Sequence, residues 1–463
     1  MTRAATGTPL AEQAVRGALD AGEIPTEVLD AARLHLLDSL GVGLAAARIG
    51  PVRGVAAHAE AFGGNGRCTV IGRPALVTAP AAALVNGTLI HSLEYDDTHV
   101  AAVMHGSSVL SAAALAATEE VGGDGHSLLR AYTLGWELLI RLGLASQGSL
   151  QATGFQATSA AGPFAAALAA GLAHGDPADV MTNALGIAGI QPGGNFAFLA
   201  TAATVKAAQP GWAAHAGLVA AALARSGVTG PASVFEGRSG FFELYGNDGA
   251  AADRLRESLD SVGRTWELPA AAFKAHPCCH FIHPYLECLD QLSDRIGGER
   301  IERVRCAVPV EQMPVIADPW AGKQHPASGH DARWSLPYVL AARLRYGSVD
   351  LDLFDGPARP EICALAERIT VEPWHQSGYP ARFPARLSVT LAAGTTLDAT
   401  VDDVRGGPAR PLDTCEVLRK FHANAAAGGL TDAEAKGLAD AILGVVAPDV
   451  STIANALQTP TDR

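Results

Sequence analysis

Between Glu27 and Arg48 the apolar residues Val28, Leu29, Leu34, Leu36, Leu37, Leu40 and Val42 recur at roughly helical spacing, and Pro25-Thr26 opens the run. The same periodicity predicts helices over 76–92, 107–121, 125–145, 159–173, 177–190 and 209–226. Between them stand Gly122-Gly123-Asp124-Gly125, His174-Gly175-Asp176-Pro177 and the stretch 227–231. Glycine and proline stop helices there, one through backbone freedom, the other through its ring and missing N–H.

After about residue 265 the period changes. The stretches Val304–Val310 and Ile369–Pro373 predict strands. Leu387, Val389 and Leu391 alternate with mostly polar neighbours, Ala393-Gly394-Thr395 turns, and Leu397, Ala399 and Val401 alternate again, which predicts a hairpin. Helical spacing returns from Leu412, and Thr431-Asp432-Ala433-Glu434 has the form of a capping box. The expected fold is mainly α: a large all-α helical domain of residues 1–267 with 406–463, and a smaller α+β domain of residues 268–405.

Composition supports that division. At 463 residues the chain exceeds the roughly 250–300 at which single cores stop growing. Apolar residues make up 48% and aromatics only 6%, so small side chains must pack the helices closely. A net charge of −13 without basic runs argues against nucleic acid and against anionic membranes as partners. It leaves an acidic small molecule open, because a few convergent cations suffice for one. Seven scattered cysteines make no disulfide framework, the first residues lack an apolar signal core, and no stretch reads as a membrane span. The expectation is a reduced, cytoplasmic protein.

Candidate chemistry concentrates in two segments. From His91 to His105 there are three histidines with Glu94, Asp96, Asp97 and Thr98. Buried, such groups demand hydrogen-bonded partners or a function; exposed, Asp-Asp-Thr suits a solvated turn. A metal site is a weaker option, since no His-Glu-x-x-His accompanies them. The second segment is Lys274-Ala-His-Pro-Cys-Cys-His-Phe-Ile-His283. Adjacent cysteines are not a zinc-chelating pair, so the cysteines are expected to pack as apolar residues. Lys206 stands among small apolar residues, the usual setting of a surface lysine. Glu137 and Arg141, four apart, predict a structural ion pair. Dinucleotide, P-loop and serine-hydrolase fingerprints are missing, so NAD, ATP and serine hydrolysis lack support.

Taken in order, these blocks resemble the MmgE/PrpD family. His91–His99 is similar to its His-Ala-Leu-Asp-Phe/Tyr-Asp-Asp-Thr signature. Gly135-Trp-Glu137 with Arg141, Gly154-Phe-Gln-Ala-Thr158, Lys206 with Gly211, and Glu236-Gly-Arg-Ser-Gly-Phe241 follow. Lys274 with Pro277-Cys278-Cys279 and His283, then Ala332-Arg-Trp-Ser335 and Arg405-Gly-Gly-Pro408, complete the set.

The resemblance implies a homodimer with no metal and no organic cofactor, and a cleft between two domains. The implied chemistry is proton transfer beside a carboxylate, with loss of water, loss of CO2 or re-protonation. The implied catalytic residues are His105, Lys206, Lys274, Asp97 and Glu94, and the substrate-binding residues are Thr98, His99, Gln156, Cys279 and His280. His105 is the natural base, the lysines the carboxylate anchors. Trp320 aligns loosely where the decarboxylase branch has tyrosine. Glu94 replaces the commoner aspartate, and Gln156 stands where many members carry histidine. Glutamine only hydrogen-bonds, so a lyase acting on a di- or tricarboxylic acid stands beside two alternatives. One is an epimerase of an iminodisuccinate-like acid. The other is a non-catalytic helical binding protein, against which His105, Lys206 and Lys274 argue.

Overall fold

The computed structural model describes residues 7–201, 203–444 and 449–458. Helices α1 (Leu10–Leu19), α2 (Thr26–Ile49), α3 (Ala79–His91), α4 (Gly106–Val121), α5 (Gly125–Ser146), α6 (Ala157–His174), α7 (Ala178–Ala188) and α8 (Val205–Arg225) build the first half. The predicted helices all appear, with two shifts of consequence. The helix expected from 209 begins at Val205 and carries Pro210 inside it, which places Lys206 on its first turn. The helix expected from 76 begins at Ala79, because Arg73–Val77 is a strand paired with Cys68–Val70 around Gly72. The all-α expectation for this half is corrected accordingly. Short β-branched runs beside a glycine turn make a hairpin too brief to register as a period.

The helices approach through small residues. Gly87 on α3 and Gly211 on α8 meet where a Cβ on Gly87 would sit 2.7 Å from the Gly211 Cα. That crossing draws the start of α8 toward the end of α3.

The second half holds α9 (His283–Ile296) and α10 (Leu336–Tyr346) against a sheet of β1 (Ile301–Pro309), β2 (Ile369–Trp374), β3 (Ala385–Leu391) and β4 (Thr396–Val401). The strand order is β2-β1-β3-β4, with β1 and β2 parallel and the other pairs antiparallel. The predicted hairpin is β3–β4, in the register Leu387 opposite Ala399. Helices α11 (Thr414–Ala427) and α12 (Asp432–Leu443) follow, both opened by capping boxes, the second at Thr431 and Glu434, and a short helix α13 (Val450–Leu457) comes after them.

Buried apolar residues form two clusters. One gathers Leu10 to Ala271 and, from the C-terminal helices, Phe421 to Leu457; the other gathers Val100 and Ala272 to Val404. A two-residue antiparallel pairing, Thr98 opposite Ala272 and His99 opposite Ala271, stitches the first to the second. No helix among the described residues is long and apolar enough to cross a membrane. All seven cysteines are free, and six of them are buried.

Candidate active site

The segment between α3 and α4 is buried, and most of its polar groups have at least one partner, while His91 Nε2, Asp96 Oδ1 and His99 Nε2 have none. His91 Nδ1 donates to Asp96 Oδ2 at 2.7 Å. Burial depresses the His91 pKa to about 3, against the pull of Asp96, so this imidazole is neutral. The Asp97 carboxylate turns away from the cleft: it accepts from His35 Nδ1 at 2.9 Å and from the Ser107 N–H at 3.1 Å, and the Ser107 hydroxyl completes its shell.

A tight turn then folds the chain back. The His99 N–H donates to the Met104 carbonyl at 2.7 Å, which sets Thr98 beside His105. His105 Nδ1 lies 2.8 Å from the Asp97 carbonyl and 3.2 Å from Thr98 Oγ1. A carbonyl can only accept, so Nδ1 carries the proton and Nε2 keeps its lone pair. Burial first, and the Lys274 charge second, lower the His105 pKa.

His105 occupies the N-cap position of α4 without using its side chain as a cap. Its backbone N–H is held by Thr158 Oγ1 on α6 at 2.9 Å. The next residue is glycine for a steric reason: a Cβ on Gly106 would lie 2.2 Å from the Trp136 ring.

Both lysines are buried, which overturns the surface reading of Lys206 made from its neighbours. Lys206 is 6% exposed and Lys274 fully enclosed. Glu94 bridges them, contacting Lys206 Nζ through Oε1 and Lys274 Nζ through Oε2 at 3.5 Å. Asp96 Oδ1 lies 3.9 Å from Lys274. Burial, then repulsion from Lys274, pushes the Lys206 pKa well below the usual lysine range. Glu94 takes a left-handed backbone, φ 53°, uncommon for a side-chain-bearing residue and held only by its surroundings.

Glu94, Thr98, His105, Gln156, Lys206, Cys279 and His280 all line one cavity of about 380 Å³. Others sit elsewhere. Lys274 lies behind the wall, under Glu94. Asp97 reaches the site only through its carbonyl. His99 faces a different depression beside Val404 and Pro408, and its Nδ1 accepts from the Ala102 N–H at 3.3 Å. Gln156 caps α6, its Oε1 accepting from the Ser159 N–H at 2.7 Å. The Cys279 thiol has its pKa raised by burial and is a neutral, apolar surface. His280 is 3% exposed, and neither ring nitrogen has a protein partner. Trp320 packs against the second core, off the cavity wall.

Sequence reasoning missed the residues that brace this site. Buried Arg333 donates from Nη1 to the Leu93 carbonyl at 2.5 Å and the Pro277 carbonyl at 2.7 Å, tying the two segments together. Lys420 on α11 reaches Asp38 Oδ2 at 2.9 Å and the Tyr95 carbonyl at 2.8 Å. Arg333 lies inside a block the resemblance had marked; nothing local marks Lys420. The Glu137–Arg141 ion pair is present at 3.2 Å, as expected, and it also receives the Glu267 and Leu268 N–H groups.

His91, Asp96 and His105 offer ligand atoms within 4.8 Å of one another. His91 Nδ1 and Asp96 Oδ2 bond to each other and His105 Nδ1 faces a carbonyl. His91 Nε2 and Asp96 Oδ1 have no hydrogen-bond partner.

This arrangement can hold a proton acceptor and an ammonium in one desolvated space. The MmgE/PrpD N-terminal domain matches residues 14–252 and the MmgE/PrpD C-terminal domain residues 276–443. The chain belongs to the MmgE/PrpD family. It is 30% identical to a cis-aconitate decarboxylase-like protein of Aspergillus oryzae, with 87% of each chain covered. It is 27% identical to a cis-aconitate decarboxylase of Aspergillus terreus, over 95% of this chain and 93% of the relative. The human cis-aconitate decarboxylase is 28% identical, over 88% and 85%.

Proposed function

We propose that this protein is a cofactor-independent lyase that breaks a bond beside a carboxylate of a small organic acid, with release of CO2. One observation carries the reading: His105 is locked with its proton on Nδ1, so that Nε2 is the acceptor in a cavity shared with Lys206. A neutral imidazole with a depressed pKa takes a proton from carbon and, once protonated, is a strong acid that returns it at another carbon of the acid; the C–CO2 bond then breaks with its electron pair left on carbon, and that carbon takes one further proton from solvent. Lys206 and the charge of Lys274 behind it stabilise the enediolate-like negative charge that develops. Substrate carboxylate competes with Glu94 for Lys206. Thr98 and the unpartnered His280 ring orient the acid. Decarboxylation balances with one proton taken up at carbon for each CO2 released, and the names of the relatives favour it over dehydration and epimerisation.

The site lies where the two apolar clusters meet, which supports residues 1–267 with 406–463 and residues 268–405 as the two units. A homodimer completes the reading and is checked by light scattering.

The test is turnover of di- and tricarboxylic acids in D2O, scored for CO2, loss of water and deuterium at carbon. CO2 release with at least one deuterium incorporated is expected. His105→Asn should lower it by about 10²–10⁴-fold without changing Tm. A His105→Asn enzyme as fast as wild type would sink the proposal; exchange without CO2 would point to the epimerase instead.

A further inference from the structure

The remainder of the cavity has a chemistry of its own. Two banks of aromatic rings face it. On one, Phe198 stands 6.0 Å from Phe196 and 6.3 Å from Trp334, ring centre to ring centre, and the Lys206 ammonium lies 5.1 Å over Trp334. On the other, Phe281 is 4.8 Å from Phe383 and 5.6 Å from Tyr379, with the His280 ring 5.6 Å from Phe383. Each bank therefore abuts one of the polar groups assigned to the reacting end.

Charge points the same way. Among the described residues lining the cavity, Lys206 is the only cation, paired with Glu94, and the exposed Glu311 lines the cavity as well. A tricarboxylate would bring three further negative charges to a lining with one ammonium, backed by Lys274 behind Glu94. Buried charge needs a partner, whereas apolar surface between aromatic rings is favourable. The volume, about 380 Å³, is in the range that encloses drug-sized ligands, roughly 300–1,000 Å³.

We infer that the substrate is an acid bearing an apolar arm, alkyl or aryl, that lies between the two aromatic banks while its carboxylate end meets Lys206, Thr98 and His105. This rests on the proposed function for the reacting end, and adds what occupies the rest of the cavity.

The experiment is calorimetric titration of the full chain with unreactive saturated acids: succinate, 2-butylsuccinate, 2-hexylsuccinate and tricarballylate. Each added methylene should tighten binding about threefold to fourfold, so that the hexyl acid binds on the order of tenfold tighter than the butyl acid. Phe198→Ser should flatten that dependence, and half-buried Phe196→Ser, which leaves the core intact, should weaken it. Affinity independent of chain length, or tricarballylate binding tighter than both alkyl acids, overturns the inference and leaves the reacting end standing. Lys206→Met should weaken every acid alike. If it weakens none, the site assignment fails and the inference with it.

Discussion

The two segments that meet at the cleft pair their buried polar groups to different degrees. Between His91 and His105 each imidazole and carboxylate has an assigned neighbour: His91 with Asp96, Asp97 with His35 and Ser107, His105 with the Asp97 carbonyl. Between Lys274 and His283 the pairing is thinner, although the first segment too leaves His91 Nε2, Asp96 Oδ1 and His99 Nε2 without a hydrogen bond. His280 has no partner on either nitrogen, and His283 Nδ1 has none. Burial drives both imidazoles toward the neutral form and both thiols, Cys278 and Cys279, toward the protonated form. The first segment is thus a wall of fixed hydrogen bonds in which one proton position is defined. The second is a dry, uncharged wall whose unpartnered His280 ring is available to a ligand. Lys274 crosses the division, standing in the second segment and placing its charge under the first.

The largest expected effect comes from breaking the fixed wall. Asp97→Asn keeps the shape but places an amide against the Ser107 N–H and removes the charge that His35 meets. It should cost about 1.5–3 kcal/mol in urea unfolding, the usual worth of a hydrogen bond to a charged group, and lower kcat as well. An unchanged midpoint would show that the wall is not held from behind.

An intermediate effect is expected in the pH profile. His105 must be neutral to accept a proton, and its pKa is depressed, so the acid limb of kcat/KM should lie below the ordinary histidine value of about 6.5. Lys274→Met removes one of the depressing charges. The His105 pKa then rises, and the acid limb of the residual activity should move to higher pH. Movement to lower pH, or none, would contradict the coupling across the two segments.

The smallest effect should come from the bare wall. His280→Phe removes two unpartnered buried nitrogens and keeps a ring beside Phe383. Tm should hold or rise slightly while KM increases by less than about tenfold, the worth of a single neutral hydrogen bond. A fall in kcat at constant KM would place His280 in the chemistry instead.

Much of this molecule was legible in local patterns. Helical period and glycine or proline breaks located α4, α5 and α6 to within a few residues, since those signals lie within one or two turns. The β3–β4 hairpin and the Thr431 capping box were readable for the same reason. The resemblance brought Glu94, Thr98, His105 and Lys206 onto one list, and the cavity contains all four.

The tertiary structure decided the rest. It buried Lys206, whose small neighbours read equally well as surface, because the Gly87–Gly211 crossing sets α8 against α3. It turned the Asp97 carboxylate toward His35 and offered its carbonyl to His105, a choice made by residues on α2 and α4. It recruited Arg333 and Lys420 from far along the chain. The sequence by itself determined which residue types were present and the local elements that carry them. Burial, proton position and pairing depend on groups distant in the chain, and only folding specifies which of those become neighbours.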